Sequence, residues 1–128
     1  MKKQLSAVEE FHNAFGQENG KVPRLIKEEE GRLRFRLMAE ENEEYLVAVQ
    51  AGDLVEIADA LGDQLYILCG TILKHGMQNV IEQVFDEIQS SNMSKLGADG
   101  KPVLREDGKI LKGPGFFRPD LAKFLKED

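Results

Sequence analysis

The sequence predicts an all-α fold: a four-helix core whose bundle is completed by oligomerisation, with a C-terminal hairpin and loop extension. Three observations predict it. Apolar residues recur at helical spacing up to about residue 96. The break at Ala51-Gly52-Asp53 joins a helix stop directly to a helix start. Beyond residue 97 the chain turns to Gly, Pro and an Asp-Gly turn signal. A length of 128 residues suits one domain, 1–128, with a helical core at about 6–96 and a hairpin and tail at 97–128.

The first helix is expected to start at Ser6, with Glu9 completing a capping box. It carries Val8, Phe11 and Phe15 and ends near Gly20 and Pro23. The second covers roughly Glu30 to Ala51, with Gly52 as its stop. The third begins on the N-cap Asp53 and runs to His75 and Gly76. The fourth spans about Gln78 to Leu96. Two short strands, around Val103 and Ile110, flank Glu106-Asp107-Gly108 as a hairpin. Gly113-Pro114-Gly115 then breaks the structure, and a short helix is expected from Asp120.

Projected at ~100° per residue, the second helix has two apolar faces. Leu33, Leu37, Ala48 and Ala51 share one with Glu44, and Glu40 and Glu41 flank it. Phe35, Met38, Tyr45, Leu46 and Val49 form the other. The third helix is apolar nearly all round, except for Glu56, Asp59 and Asp63 in one ~60° arc. Four helices of one chain do not cover two such helices, which predicts a homodimer or homotetramer.

A charged residue on a helix usually marks a solvated face, and Glu56 has the further role of N3 beside the Asp53 cap. Asp59 and Asp63 lack that explanation, since aspartate is a poor mid-helix residue. Glu40, Glu41 and Glu44 repel one another, and two like charges ~4 Å apart cost about 4 kcal/mol at an effective dielectric near 20. A divalent ion removes that cost. The predicted metal ligands are therefore Glu40, Glu41, Glu44, Glu56, Asp59 and Asp63. An all-oxygen set favours Mg²⁺, with Mn²⁺ as a substitute. A di-iron centre would need repeated Glu-x-x-His; only Glu9–His12 has that spacing.

Mg²⁺ held by carboxylates commonly shares its coordination with substrate phosphates. Asn92 and Lys95, on the inward face of the fourth helix, and Lys112 and Arg118 beyond it, are the candidates for holding them. There is no Gly-x-x-x-x-Gly-Lys-[Ser/Thr] loop, Gly-x-Gly-x-x-Gly fingerprint or Gly-x-Ser-x-Gly elbow. Activated water is thus favoured over a protein nucleophile. A net charge of −6 argues against nucleic-acid or membrane-surface binding. The lone Cys69 excludes an internal disulfide. With no signal peptide and no membrane-length apolar run, a cytoplasmic location is expected.

Three segments in order, Glu56-Ile57-Ala58-Asp59-Ala60-Leu61-Gly62-Asp63-Gln64-Leu65-Tyr66, Ser91-Asn92-Met93-Ser94-Lys95-Leu96 and Asp107-Gly108-Lys109-Ile110-Leu111-Lys112-Gly113-Pro114, follow Glu40-Glu41-x-x-Glu44. Over about residues 30–121 the chain resembles the all-α nucleoside triphosphate pyrophosphohydrolases, in the branch nearest MazG and phosphoribosyl-ATP pyrophosphohydrolase. The resemblance implies Mg²⁺-dependent attack of water on the α-phosphorus of a nucleoside triphosphate, giving a monophosphate and pyrophosphate. It implies metal ligands at Glu40, Glu41 and Glu44 and on the next helix, with Glu41 and Glu44 catalytic and Glu41 as general base. One departure stands out. The family's second motif is Glu-x-x-Asp before a Leu-Leu-Tyr-like run, whereas here Asp63 precedes Gln64-Leu65-Tyr66 with Ala60 three residues earlier. The alternative reading is a nucleotide-binding or structural helical bundle with little turnover.

Overall fold

The computed structural model of the chain describes residues 1–126. They contain four α-helices, α1 (Lys2–Ala14), α2 (Glu28–Ala51), α3 (Leu54–Lys74) and α4 (Ile81–Met93), and one two-stranded sheet. The class is all-α. The chain packs as two units, Met1–Asn79 with α1–α3 and a second from Val80 onward.

In the first unit α2 and α3 form an antiparallel hairpin. Gly52 ends α2 in the left-handed conformation at φ 65°, and Asp53 N–H closes the turn onto Ala48 C=O at 3.1 Å. Asp53 then caps α3, its Oδ1 accepting the Glu56 N–H at 3.1 Å. Both features follow the expectation. Across the pair, Gln64 Nε2 donates to Asn42 Oδ1 at 3.3 Å, and Arg34 donates to Thr71 Oγ1 and Ile67 C=O at 3.0 and 2.9 Å. Leu5, Val8, Ala48, Ala60, Cys69, Ile72 and Leu73 form the small buried core.

Helix α1 departs from the sequence expectation at both ends. It begins at Lys2 rather than Ser6, and no side chain caps it, so Ser6 and Glu9 make no capping box. The reason is Leu5: its burial beside Val8 favours extending the helix one turn toward the N-terminus. At the other end Gly16, at φ 69°, stops the helix, with Gln17 N–H on His12 C=O at 2.8 Å, well before Gly20 and Pro23. His12 is buried and hydrogen-bonded through Nδ1 to Asn19 Oδ1 at 2.6 Å, a structural role.

Two cationic side chains are buried here. Lys74 Nζ donates to Glu18 C=O at 2.7 Å and lies 3.5 Å from Glu30, and Arg34 is satisfied as above. Many apolar side chains of α2 and α3 remain exposed within one chain, among them Phe35, Leu46, Leu61, Leu65 and Leu68.

In the second unit α4 is shorter than expected at both ends, Ile81–Met93 instead of about 78–96. The hairpin forms as predicted, with β1 (Val103–Leu104) and β2 (Ile110–Leu111) antiparallel in the register Val103↔Leu111. Asp107 Oδ1 accepts from Arg105 Nε and Lys109 N–H, which fixes the Asp-Gly turn. The tail is tied to α4: Ser91 Oγ donates to Phe117 C=O at 2.8 Å, and Lys123 Nζ pairs with Glu87 at 3.1 Å. The helix expected from Asp120 is one 3₁₀ turn, Ala122–Phe124. Among the described residues no helix is long and apolar enough to cross a membrane.

Candidate active site

Glu41 and Glu44 stand three residues apart on α2 and therefore on one side of it. The α2–α3 hairpin sets Asp63 opposite them. Each of the three offers a carboxylate oxygen within 4.8 Å of the others. Among the described residues none of the three is ion-paired to a lysine or arginine.

Glu41 carries the tension of this arrangement. Its Oε2 is fully buried and has no hydrogen-bond partner. Burial first, then the adjoining Glu44 carboxyl and the negative charges of Glu44, Asp63 and Asp59, raise its pKa from the ordinary 4.5 to about 7. A carboxylate held this way either keeps its proton or takes a cation. The donor set is all oxygen, with an orphaned buried acceptor at its centre, and it fits a hard divalent ion.

Beside this cluster α2 and α3 enclose a groove of about 680 Å³. Glu40, Glu43, Glu44, Asp53, Glu56 and Asp59 line it together with Val47, Ala48, Ala51 and Ala60. Glu44 belongs to both cluster and groove. The structure thus places all six predicted ligands along one helical hairpin: Glu41, Glu44 and Asp63 converge, and Glu40, Glu56 and Asp59 line the adjoining groove. Glu56 also serves the Asp53 cap through its backbone N–H. Two groove acids, Glu43 and Asp53, were not singled out as site residues. Glu43 lies three residues from Glu40, a spacing that would have put it on the same wall.

The predicted phosphate-binding residues all belong to the second unit. Against the expectation of an inward face, Asn92 is exposed on α4, and Lys95 lies past the end of the helix at Met93. Lys95 and the Lys112-Gly113 segment are brought together, since Gly113 N–H donates to Lys95 C=O at 2.8 Å. A Cβ on Gly113 would lie 2.1 Å from Leu96 C=O, so only glycine permits this approach. The Lys112 ammonium sits 4.7 Å from the centroid of the Phe116 ring, and Arg118 is exposed. By contrast Arg105 is engaged by Asp107.

The sequence profile of the phosphoribosyl-ATP pyrophosphohydrolase family matches residues 8–92, which include every carboxylate above. Lys95, Lys112 and Arg118 lie beyond the matched span. Among solved structures the chain is similar to a protein of Exiguobacterium sp. 255-15 provisionally named an NTP pyrophosphohydrolase. Identity is 27%, the match covers 91% of this chain and 88% of that one, and the TM-score is 0.50. No curated protein matches at a significant level.

Proposed function

The chain belongs to the phosphoribosyl-ATP pyrophosphohydrolase family, and from that premise we propose that it is a Mg²⁺-dependent nucleoside triphosphate pyrophosphohydrolase. Hydrolysis of a nucleotide pyrophosphate bond is the reaction class that family and structural neighbour support. The observation that carries the metal assignment is the convergence of Glu41, Glu44 and Asp63 around a buried, unpaired carboxylate oxygen.

Bound Mg²⁺ would supply Lewis-acid activation of water and neutralise phosphate charge. Glu41, Glu44 and Asp63 are the residues to hold it, with Glu40, Glu56 and Asp59 available to further ions in the groove. Water adds to the α-phosphorus, the bond from that phosphorus to the bridging oxygen breaks, and pyrophosphate leaves with the bond's electron pair. Glu41, at the centre of the converging carboxylates, is assigned to accept the proton of the attacking water. Asn92, Lys95, Lys112 and Arg118 are assigned to the substrate phosphates. The exposed apolar side chains of α2 and α3 support a homodimer or homotetramer, the negative charge disfavours nucleic-acid or membrane partners, and the lone Cys69 suits the cytoplasm.

The test is pyrophosphate release from a panel of ribo- and deoxyribonucleoside triphosphates and phosphoribosyl-ATP, with Mg²⁺ or Mn²⁺. Stoichiometric pyrophosphate and monophosphate from at least one is expected. Release from none would leave the nucleotide-binding or structural bundle as the standing reading.

Cation affinity should also depend on pH with a defined sign. Below about 7 the Glu41 carboxyl holds a proton that the ion must displace, so affinity rises as pH approaches 7 and flattens above it. About a fivefold gain from pH 6 to pH 7 is expected by calorimetric titration with Mg²⁺. In the metal-free protein the sign runs the other way. The folded state holds the proton more tightly than the unfolded state between 4.5 and about 7, so stability falls as pH rises through that window. A pH-independent affinity would remove Glu41 from the ligand set.

A further inference from the structure

Three aromatic rings at the contact of α1 with α3 stand partly in solvent. Phe11 on α1 and Phe15, the residue that follows the helix, have centroids 4.4 Å apart and planes tilted by 32°. Tyr66 of α3 meets Phe11 edge-on at 5.7 Å and 87°. Their exposures are 39, 67 and 41% for Phe11, Phe15 and Tyr66, although neighbouring Leu5, Val8 and His12 on α1 are buried. The rings form a continuous aromatic surface that the core of the unit does not absorb. The Tyr66 hydroxyl makes no hydrogen bond among the described residues.

Their position ties them to the carboxylates. Asp59, Asp63 and Tyr66 fall at i, i+4 and i+7, a single stripe along α3. Asp59 lines the acidic groove and Asp63 belongs to the converging cluster. Tyr66 is therefore one turn beyond the cluster, on the same stripe. In a nucleotide, the ribose sets the base away from the α-phosphorus by a distance on the order of one to two helical turns, ~5–10 Å at 5.4 Å per turn. A phosphate end at Glu41, Glu44 and Asp63 thus leaves the base within reach of these rings.

Building on the hydrolase reading, we propose that Phe11, Phe15 and Tyr66 form the platform on which the nucleobase of the substrate stacks. Every base has a π-face, so stacking tolerates base identity. With one free hydroxyl and no carboxamide or charged side chain in the ring cluster, discrimination here comes from ring area. The substrate class is broad, with purine nucleotides bound more tightly than pyrimidine ones.

The test compares Phe15→Ala and Tyr66→Leu with wild type on two ligands, nucleoside triphosphates as substrates and inorganic tripolyphosphate as a baseless competitor. KM for ATP should rise about 5- to 100-fold, the range expected for loss of base–aromatic stacking. Turnover at saturation should stay within about twofold, inhibition by tripolyphosphate should not change, and Tyr66→Phe should retain most of the affinity. An unchanged KM overturns the platform. So does equal weakening of ATP and tripolyphosphate, which would mark general damage. A change in sedimentation with KM unaltered also overturns it and makes the rings a subunit contact. A wild-type chain that releases no pyrophosphate from any nucleotide refutes the hydrolase reading separately; ATP binding by calorimetry then decides the platform, since the variants must weaken it.

Discussion

Glu44→Gln is expected to abolish pyrophosphate release while leaving the fold intact. Glu44 is the one carboxylate shared by the converging cluster and the groove. The substitution keeps the side chain's size and removes its charge. Changing groups that merely orient metal ligands typically costs 10–100-fold, so loss of a direct ligand should cost at least about 100-fold. Asp63→Asn, on the facing helix, should behave alike. Stability gives the complementary readout. Each change removes one negative charge from a cluster that repels itself, so in metal-free buffer the melting temperature should hold or rise, and its gain on adding Mg²⁺ should shrink. Initial rates of pyrophosphate release together with thermal melts check both halves. A near-wild-type rate for either variant would show that the site is elsewhere.

Gly76→Ala should be strongly destabilising although it lies outside the site. Gly76 follows the end of α3 at φ 68°, a conformation that costs a residue with a Cβ ~1–2 kcal/mol. The added Cβ would also lie 2.0 Å from Val22 C=O, a backbone atom with no rotamer to retreat into. The loop from Gly20 to Arg24 is anchored at this point, with Gly20 N–H on Leu73 C=O and Arg24 N–H on His75 C=O, both at 2.9 Å. Displacing it costs those bonds as well. The expected loss is ~3–5 kcal/mol, at the exceptional end for one substitution. Gly31→Ala is the control. It lies in the first turn of α2 with nothing within 4 Å of its would-be Cβ, and it should gain ~0.5–1 kcal/mol. Urea unfolding of the two variants measures the contrast, and similar midpoints would contradict it.

Much of this architecture was legible in the residues because its signals are local. Gly52 followed by Asp53 marks a stop and a start over two positions, and Asp107-Gly108 marks a hairpin in the same way. The acidic stripes were legible by phase alone, because a period of 3.6 puts Glu41 with Glu44 and Asp59 with Asp63. What escaped depends on partners distant in sequence. Nothing local in the sequence marks Arg34 or Lys74, yet both are buried, Arg34 donating to Thr71 and Ile67 and Lys74 to the Glu18 carbonyl 56 residues away. The start of α1 was misplaced because Leu5, not a cap, decides it. The state of Glu41 was legible only as mutual repulsion; its buried, partnerless oxygen is a product of packing. The contact of Phe11 with Tyr66 joins positions that no pattern relates.

All six candidate ligands fall between residues 40 and 63, across the single reversal at Gly52-Asp53. In the language of contact order the site is short-range, and its assembly needs only the closure of one helical hairpin. That closure brings six carboxyl groups onto one hairpin, so the contact that builds the site is one that like charges oppose. Folding and the proposed ion capture would then be coupled: an ion bridging Glu41, Glu44 and Asp63 would fasten α2 to α3, and withdrawing it would loosen the hairpin against which α1 packs.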